Sequence, residues 1–245
     1  MRVNQQWRVL GRVIRFLLRP LESAIIWARP PTRVGQMGSG TIKIAIAVHG
    51  TRGDIEPAAA IGRELFRRGH SASIAVPPNL ADIAVSAGFR AVVAYGPNSQ
   101  HQLDAEIFRN WFRLRNPAKV VGQARAYVCD GWADMSRKLK SLASDADLIL
   151  TGTTYQEVAA NVAEASGIPL AALHFFPVRP NNHILPVPLP MALTRPLWSL
   201  VEWGHWRLLK PVYDEQRRNL DLPPSRIRAI LQIVERGTLE IQAYD

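Results

Sequence analysis

The stretch Ile42–Val48, IKIAIAV, constrains the fold more than any other part of this sequence. It is short, apolar apart from one lysine, and ends on His49-Gly50. With almost no polar face to offer solvent, it reads as a strand buried on both sides. Strands of that kind belong to parallel sheets covered by helices. The next segment agrees. Pro57 suits the first turn of a helix, Ala58, Ile61 and Leu65 share one helical face, and Arg63, Arg67 and Arg68 point the other way. Gly69 then closes the helix in a left-handed conformation. Ser71–Val76 is a second strand, a helix near Leu80–Ala87 follows, and Ala91–Tyr95 is a third strand. A β-α-β-α-β series is half of a doubly wound sheet.

The alternation resumes further on. Spacing predicts a long helix over Ala118–Ala143, a strand at Asp147–Thr151, a helix at Gln156–Ala165 and a strand at Leu170–His174. A proline-rich loop follows, with Pro177, Pro180, Pro186, Pro188, Pro190 and Pro196. Proline cannot serve a sheet interior, and this loop leaves the C-terminal end of a strand, where α/β proteins place binding sites. Helices near Leu197–Asn219 and Ser225–Val234 and a strand at Leu239–Ala243 complete the pattern. The expected fold class is α/β, a Rossmann-like doubly wound parallel sheet.

Charge separates a leader from this body. The 245 residues carry 30 Lys+Arg against 20 Asp+Glu, a net charge of +10. Residues 1–40 hold seven arginines and one acid, Glu22, so +6 of that total sits there and +4 is spread over residues 41–245. A nucleic-acid partner is therefore not expected of the body. Within the leader, Trp7, Leu10, Ile14, Leu17, Leu18, Leu21 and Ile25 recur at helical steps, and Arg8, Arg12, Arg15 and Arg19 recur on another face. Residues 5–27 thus read as a basic amphipathic helix interrupted at Pro20. Three readings stay open: a helix lying on an anionic membrane surface, a dispensable extension ahead of Met37, or a segment packed on the body. No window is long and apolar enough for an ordinary membrane span. The expected organisation is a leader over 1–40 and one domain over 41–245, in the cytoplasm or peripheral on the inner face of the membrane. One cysteine, Cys129, excludes an internal disulfide and a cysteine-rich zinc site.

The loop after the first strand reads His49-Gly50-Thr51-Arg52-Gly53-Asp54-Ile55-Glu56-Pro57. It is neither a G-x-G-x-x-G fingerprint nor a G-x-x-x-x-G-K-[ST] loop, which disfavours a dinucleotide oxidoreductase and a P-loop nucleotide site. It sets one carboxylate, Asp54, on a glycine-flanked turn above the strand ends. Such an aspartate can cap the following helix or act as a base, and the two roles are compatible. His49 and His174 end the first and fifth strands, where each can line a pocket or serve structure. Thr153 and Thr154 follow the fourth strand, where loop capping and ligand binding are both open. Trp198, Trp203 and Trp206 suit a ligand groove or a core. Asp82, Asp104, Glu106 and Asp134 lack metal-ligand spacing, so no metal site is expected.

These segments carry a family resemblance. AVHGTRGDIEP, the RRGH that ends the next helix, and the strand ending in VPPN resemble the N-terminal domain of GT-B fold UDP-glycosyltransferases, of the family 28 and family 1 type. That group includes sterol glucosyltransferases and glycopeptide-antibiotic glycosyltransferases. Gly50, Thr51, Arg52, Gly53, Asp54 and Pro57 match its G-[ST]-R-G-D-x-x-P loop; Ala94–Gln100 and Asn219–Ser225 resemble further segments. The resemblance implies an acceptor-binding domain in which Asp54 is the general base. It implies that His49, Gly50, Thr51, Arg52 and Gly53 face the acceptor, a lipid, sterol-like or natural-product molecule, with Thr153 and His174 at neighbouring strand ends. The co-substrate is a nucleotide sugar such as a UDP-sugar, held by a second, donor domain and not by this chain. The family's His/Gly-rich donor segment, H-x-G-x-G-[ST], does not occur here. The expectation is an acceptor half only, inactive alone: a truncated product, or one subunit of a split transferase partnered by a separate donor-domain chain, with a non-catalytic acceptor-binding or scaffold module as the alternative.

Overall fold

The computed structural model describes residues 40–103, 122, 125–126, 129–175 and 191–243. The amphipathic reading of residues 5–27 lies outside them, as do Asp104, Glu106 and the body of the proline-rich loop. Six strands form one sheet: β1 (Lys43–Ala47), β2 (Ser71–Val76), β3 (Val92–Ala94), β4 (Leu148–Thr151), β5 (Leu170–His174) and β6 (Leu239–Gln242). Their order is β3-β2-β1-β4-β5-β6 and every pairing is parallel. The chain winds outward one way from β1 and the other way from β4. The seam between them, with Ile44 opposite Leu148 and Ala47 opposite Thr151, is the topological switch point.

The helices are α1 (Arg52–Arg67), α2 (Ala81–Ser86), α3 (Ser99–Leu103), α4 (Trp132–Ala143), α5 (Gln156–Ser166), α6 (Met191–Asn219) and α7 (Ala229–Glu235). One sheet face presents Ile44, Ile46, Ile74 and Leu150 to Ile55, Ala58, Ile61 and Leu65 of α1. The other presents Ala45, Ala47, Ala75 and Ile149 to Trp132, Met135 and Leu139 of α4, to Val158 and Val162 of α5, and to Leu209 and Tyr213 of α6. Small side chains on this second face leave room for the large aromatic residues opposite. Each fully buried Ile or Leu contributes about 1.5–3 kcal/mol. At Gly62 the approach is closer still: a Cβ there would lie 2.0 Å from Phe89 Cζ.

Several elements depart from the sequence expectation. The GTRGD segment is not a loop, because α1 already begins at Arg52 and Pro57 sits inside it. Thr51, extended at φ −88° and ψ 177°, starts the helix, and Asp54 reaches back to it. Proline is tolerated because the carbonyl it leaves unbonded belongs to solvent-exposed Gly53. The long helix expected over Ala118–Ala143 is interrupted where Gly131 turns left-handed at φ 69°, packed 3.2 Å (by its virtual Cβ) from Pro97. Helix α6 starts earlier than expected and takes in Pro196, which is therefore helical. Helix α7 starts later than Ser225, because Ser225 Oγ donates to the Ile227 carbonyl (2.8 Å) and holds a turn there.

A buried polar network fastens the end of α6. Trp132 Nε1 and Asn161 Nδ2 both donate to Gln216 Oε1, at 2.8 and 3.0 Å. Gln216 Nε2 donates to Ser136 Oγ and to the Val158 carbonyl. Arg217 donates to Asn161 Oδ1 and, through two nitrogens, to the Glu164 carboxylate. Gln232 of α7 donates to Glu164 and accepts from Tyr213. Four helices are thereby held in one register, with charged groups paired as burial demands.

Candidate active site

Pairing continues past the ends of the central strands. Val48 N donates to the Ala75 carbonyl and Gly152 N to the Ala47 carbonyl, so the β1 and β4 loops leave the sheet side by side. On the β1 side the chain turns at Gly50, whose φ of +139° favours glycine. A Cβ at Gly50 would fall 2.3 Å from Asp54 Oδ2. The missing side chain is thus the space that the carboxylate occupies. Asp54 Oδ2 accepts from Thr51 N at 2.7 Å and from Thr51 Oγ1 at 3.1 Å. Asp54 Oδ1 has no hydrogen-bond partner among the described residues. One oxygen is pinned, the other is unclaimed, and the side chain is half-buried. The first turn of a helix is a favourable setting for an anion. Arg52 and Gly53 are exposed beside it, and the Arg52 guanidinium pairs with Glu56 one turn along α1.

His49 stands just inside this turn and is only 2% exposed. Its Nε2 is 3.0 Å from the Pro97 carbonyl, which can only accept, so Nε2 carries the proton and Nδ1 is the lone-pair nitrogen. Nδ1 is buried without a hydrogen bond. Burial lowers the histidine's pKa, against smaller upward pulls from the Pro97 hydrogen bond and the Asp54 charge. The ring meets Tyr155 edge-on at 5.0 Å, and Tyr155 meets Trp132 edge-on at 6.1 Å. Gly96, at φ 72°, fits because a Cβ there would lie 2.8 Å from His49 Cδ2. Asn79 in turn clasps Ser99 through Ser99 N and Oγ. The VPPN and AYGPNSQ segments are therefore fastened to each other and to the end of β1.

On the β4 side, the Thr151 and Thr153 hydroxyls are buried without hydrogen bonds. Tyr155, which precedes α5, is left-handed at φ 59°, a costly conformation for a bulky side chain. Such strain persists where packing dictates it, and Tyr155 is buried between His49 and Trp132. The structure brings His49, Gly50, Thr51 and Asp54 together, with Thr153 on the adjoining loop. His174 is buried at the same sheet edge, one strand farther out. Sequence reasoning passed over Thr151, Tyr95 and Tyr155. The one local signal was their position at or just beyond the C-terminal ends of β3 and β4. Trp203 is exposed and Trp206 half-buried on α6. Among the described residues no group of three or more His, Cys, Asp or Glu is placed to hold a metal ion.

No family profile matches the chain. Individual proteins do. An uncharacterized glycosyltransferase of Mycobacterium tuberculosis is 51% identical over 205 residues, which are 83% of this chain and 50% of that protein. The chain matches the N-terminal half of a glycosyltransferase. A sterol 3-beta-glucosyltransferase of Arabidopsis thaliana is 26% identical over 211 residues, 75% of this chain and 31% of that protein. Among solved structures, a spinosyn forosaminyltransferase superposes with a TM-score of 0.51 at 12% identity, over 83% of this chain and 46% of that one. That likeness shows the fold alone, a Rossmann-like parallel α/β sheet of the kind that forms one half of the GT-B fold. The glycosyltransferase-like chain spans about half the length of the curated relatives it matches.

Proposed function

We propose that this chain is the acceptor-binding half of an inverting hexosyltransferase and that Asp54 is its general base. The observation that carries the reading is the Asp54 carboxylate, with Oδ2 pinned by Thr51 and Oδ1 unclaimed at the C-terminal edge of β1. The acceptor is a hydroxyl on a lipid, sterol-like or natural-product molecule lying across the β1 and β4 loops. Its O–H proton passes to Asp54 Oδ1. The oxygen bonds to the anomeric carbon of a nucleotide sugar, the bond from that carbon to phosphate breaks, and the electron pair leaves with the nucleoside diphosphate. Attack opposite the leaving group inverts the centre. A positioned base contributes about 10²–10⁴-fold. The donor domain that holds the nucleotide sugar acts in the same polypeptide or as a separate chain.

Pinning one oxygen serves this chemistry in two ways. It removes the rotamer freedom that would scatter the base, and it leaves a single proton-accepting atom. His49, neutral and buried, holds the loop after β3 against the turn.

The test is Asp54→Asn in the protein completed with its donor domain. Asparagine keeps the size and can still accept from Thr51, so stability should change by less than about 1 kcal/mol. The kcat should fall about 10²–10⁴-fold with acceptor binding little changed. A folded variant with normal turnover would reduce Asp54 to a helix cap.

A further inference from the structure

Between the last sheet bond of β1 and the first bond of α1 lies a two-residue hinge, His49-Gly50. Val48 N donates to the Ala75 carbonyl, and the Thr51 carbonyl accepts from Asp54 N and Ile55 N. Among the described residues neither His49 nor Gly50 makes a main-chain hydrogen bond. Gly50 stands at φ +139° with no side chain to hold it there. The hinge nevertheless sets where Asp54 sits. The carboxylate fills the space a Cβ of Gly50 would need, and it takes both its hydrogen bonds from the next residue, Thr51.

One tie to the rest of the fold is left, the His49 side chain. Its Nε2 donates to the Pro97 carbonyl at 3.0 Å, across 48 positions. The ring lies so close over Gly96 that a Cβ there would be 2.8 Å from Cδ2. Gly131, the N-cap of α4, backs the same segment, with its virtual Cβ 3.2 Å from Pro97 Cδ. The anchor point is thus itself held between β1 and the start of α4. Stability does not account for a histidine here. Its buried Nδ1 lacks a hydrogen bond, and an unmet polar group of that kind costs about 1–3 kcal/mol. Phenylalanine would fill the space without that cost, but it could not donate to Pro97. A buried polar group kept against such a cost calls for a role beyond packing.

We propose that His49 is a positioning residue for Asp54: its Nε2 bond to the Pro97 carbonyl fixes the hinge, and the hinge fixes the carboxylate on Thr51. The structural half of this inference stands on the geometry alone, and its kinetic half rests on the reading of Asp54 as the base. A base displaced by about 1 Å can lose about 10²-fold in rate.

The test compares His49→Phe, which keeps a ring and loses the donor, with His49→Gln, whose side-chain amide can still donate to Pro97. The first readout is hydrogen exchange of the Thr51 amide in the full chain, followed by NMR, with the Val48 and Ser71 amides as internal controls. Thr51 exchange should speed at least about tenfold in His49→Phe and stay within about threefold in His49→Gln, with both controls unchanged. In the protein completed with its donor domain, kcat should fall about 10–100-fold in His49→Phe with acceptor KM little changed, and recover in part in His49→Gln. Unaltered Thr51 exchange in His49→Phe, or equal acceleration in His49→Gln, would overturn the proposal. Should His49→Phe unfold the chain, seen as lost protection at Val48, His49→Asn, too short to reach Pro97, takes its place with the same expectations. The two readings fail separately. Normal turnover in Asp54→Asn removes the base and leaves the exchange result standing. Normal turnover in His49→Phe beside an impaired Asp54→Asn overturns the positioning role alone.

Discussion

A side chain at position 50 would compete with the Asp54 carboxylate for one space, and the glycines near it respond to substitution according to that geometry. Gly50→Ala must adopt a φ of +139° and place a Cβ 2.3 Å from Asp54 Oδ2. It should cost about 1–3 kcal/mol in urea unfolding and, by pushing the carboxylate off Thr51, depress turnover of the completed enzyme. Gly53→Ala meets only Thr51 Oγ1, at 3.6 Å, inside a helix turn. It should leave the Asp54–Thr51 hydrogen bonds in place and raise stability by up to about 1 kcal/mol. Equal effects at the two positions would contradict the arrangement described. His49 gives a pH prediction. Its folded pKa lies below the ordinary 6.5, so above 6.5 both folded and unfolded imidazoles are neutral. As pH falls below that value the unfolded chain takes up a proton that the buried ring refuses, and stability drops. The urea midpoint should decline between about pH 7 and 5, and decline less steeply in His49→Phe. The sequence pattern made Asp54 visible, because its motif is local. It did not make visible the pinning at Gly50, which depends on a positive φ, or the place of Tyr155 between His49 and Trp132, which are distant in the chain.

Helix α1 can approach Phe89, in the turn between α2 and β3, only because position 62 lacks a side chain. Gly62→Ala improves helix propensity, yet its Cβ would fall 2.0 Å from Phe89 Cζ. Packing should win, with a net loss of about 1–3 kcal/mol by thermal or chemical unfolding. At the far end of α6, Arg217 is buried against Glu164 and Asn161. Arg217→Met leaves a mostly buried carboxylate with fewer partners and should cost about 3–5 kcal/mol. Adding Glu164→Leu should recover part of that loss, since the buried carboxylate left with only Arg236 and Gln232 as partners is gone; a fully additive double variant would argue against the network. Short, mainly small and apolar runs bounded by turn residues, such as β2 and β5, were legible to the residue. The start of α1, the break at Gly131 and the helical Pro196 were not. Each is decided by contacts or capping that override local propensity.

At the scale of the molecule, the charge outside the described residues has its own consequence. Arginines at helical spacing over residues 5–27 should bring the full chain down with anionic vesicles, less so at high salt, while a chain beginning at Met37 stays in solution. Equal sedimentation of both would remove the membrane reading of the leader. No described helix is long and apolar enough to cross a membrane. The central seam of the sheet bears on synthesis. β1 finds its first neighbour, β2, within about thirty residues, but its other edge waits for β4, whose approach is marked by Lys43 N donating to Asp147 Oδ2, 104 positions on. At ribosomal speed that interval is roughly 5–20 s. Throughout it, a growing chain carries the most apolar edge of its sheet unpaired. Arrested nascent chains ending before β4 should therefore bind chaperones that chains completed through β5 no longer attract.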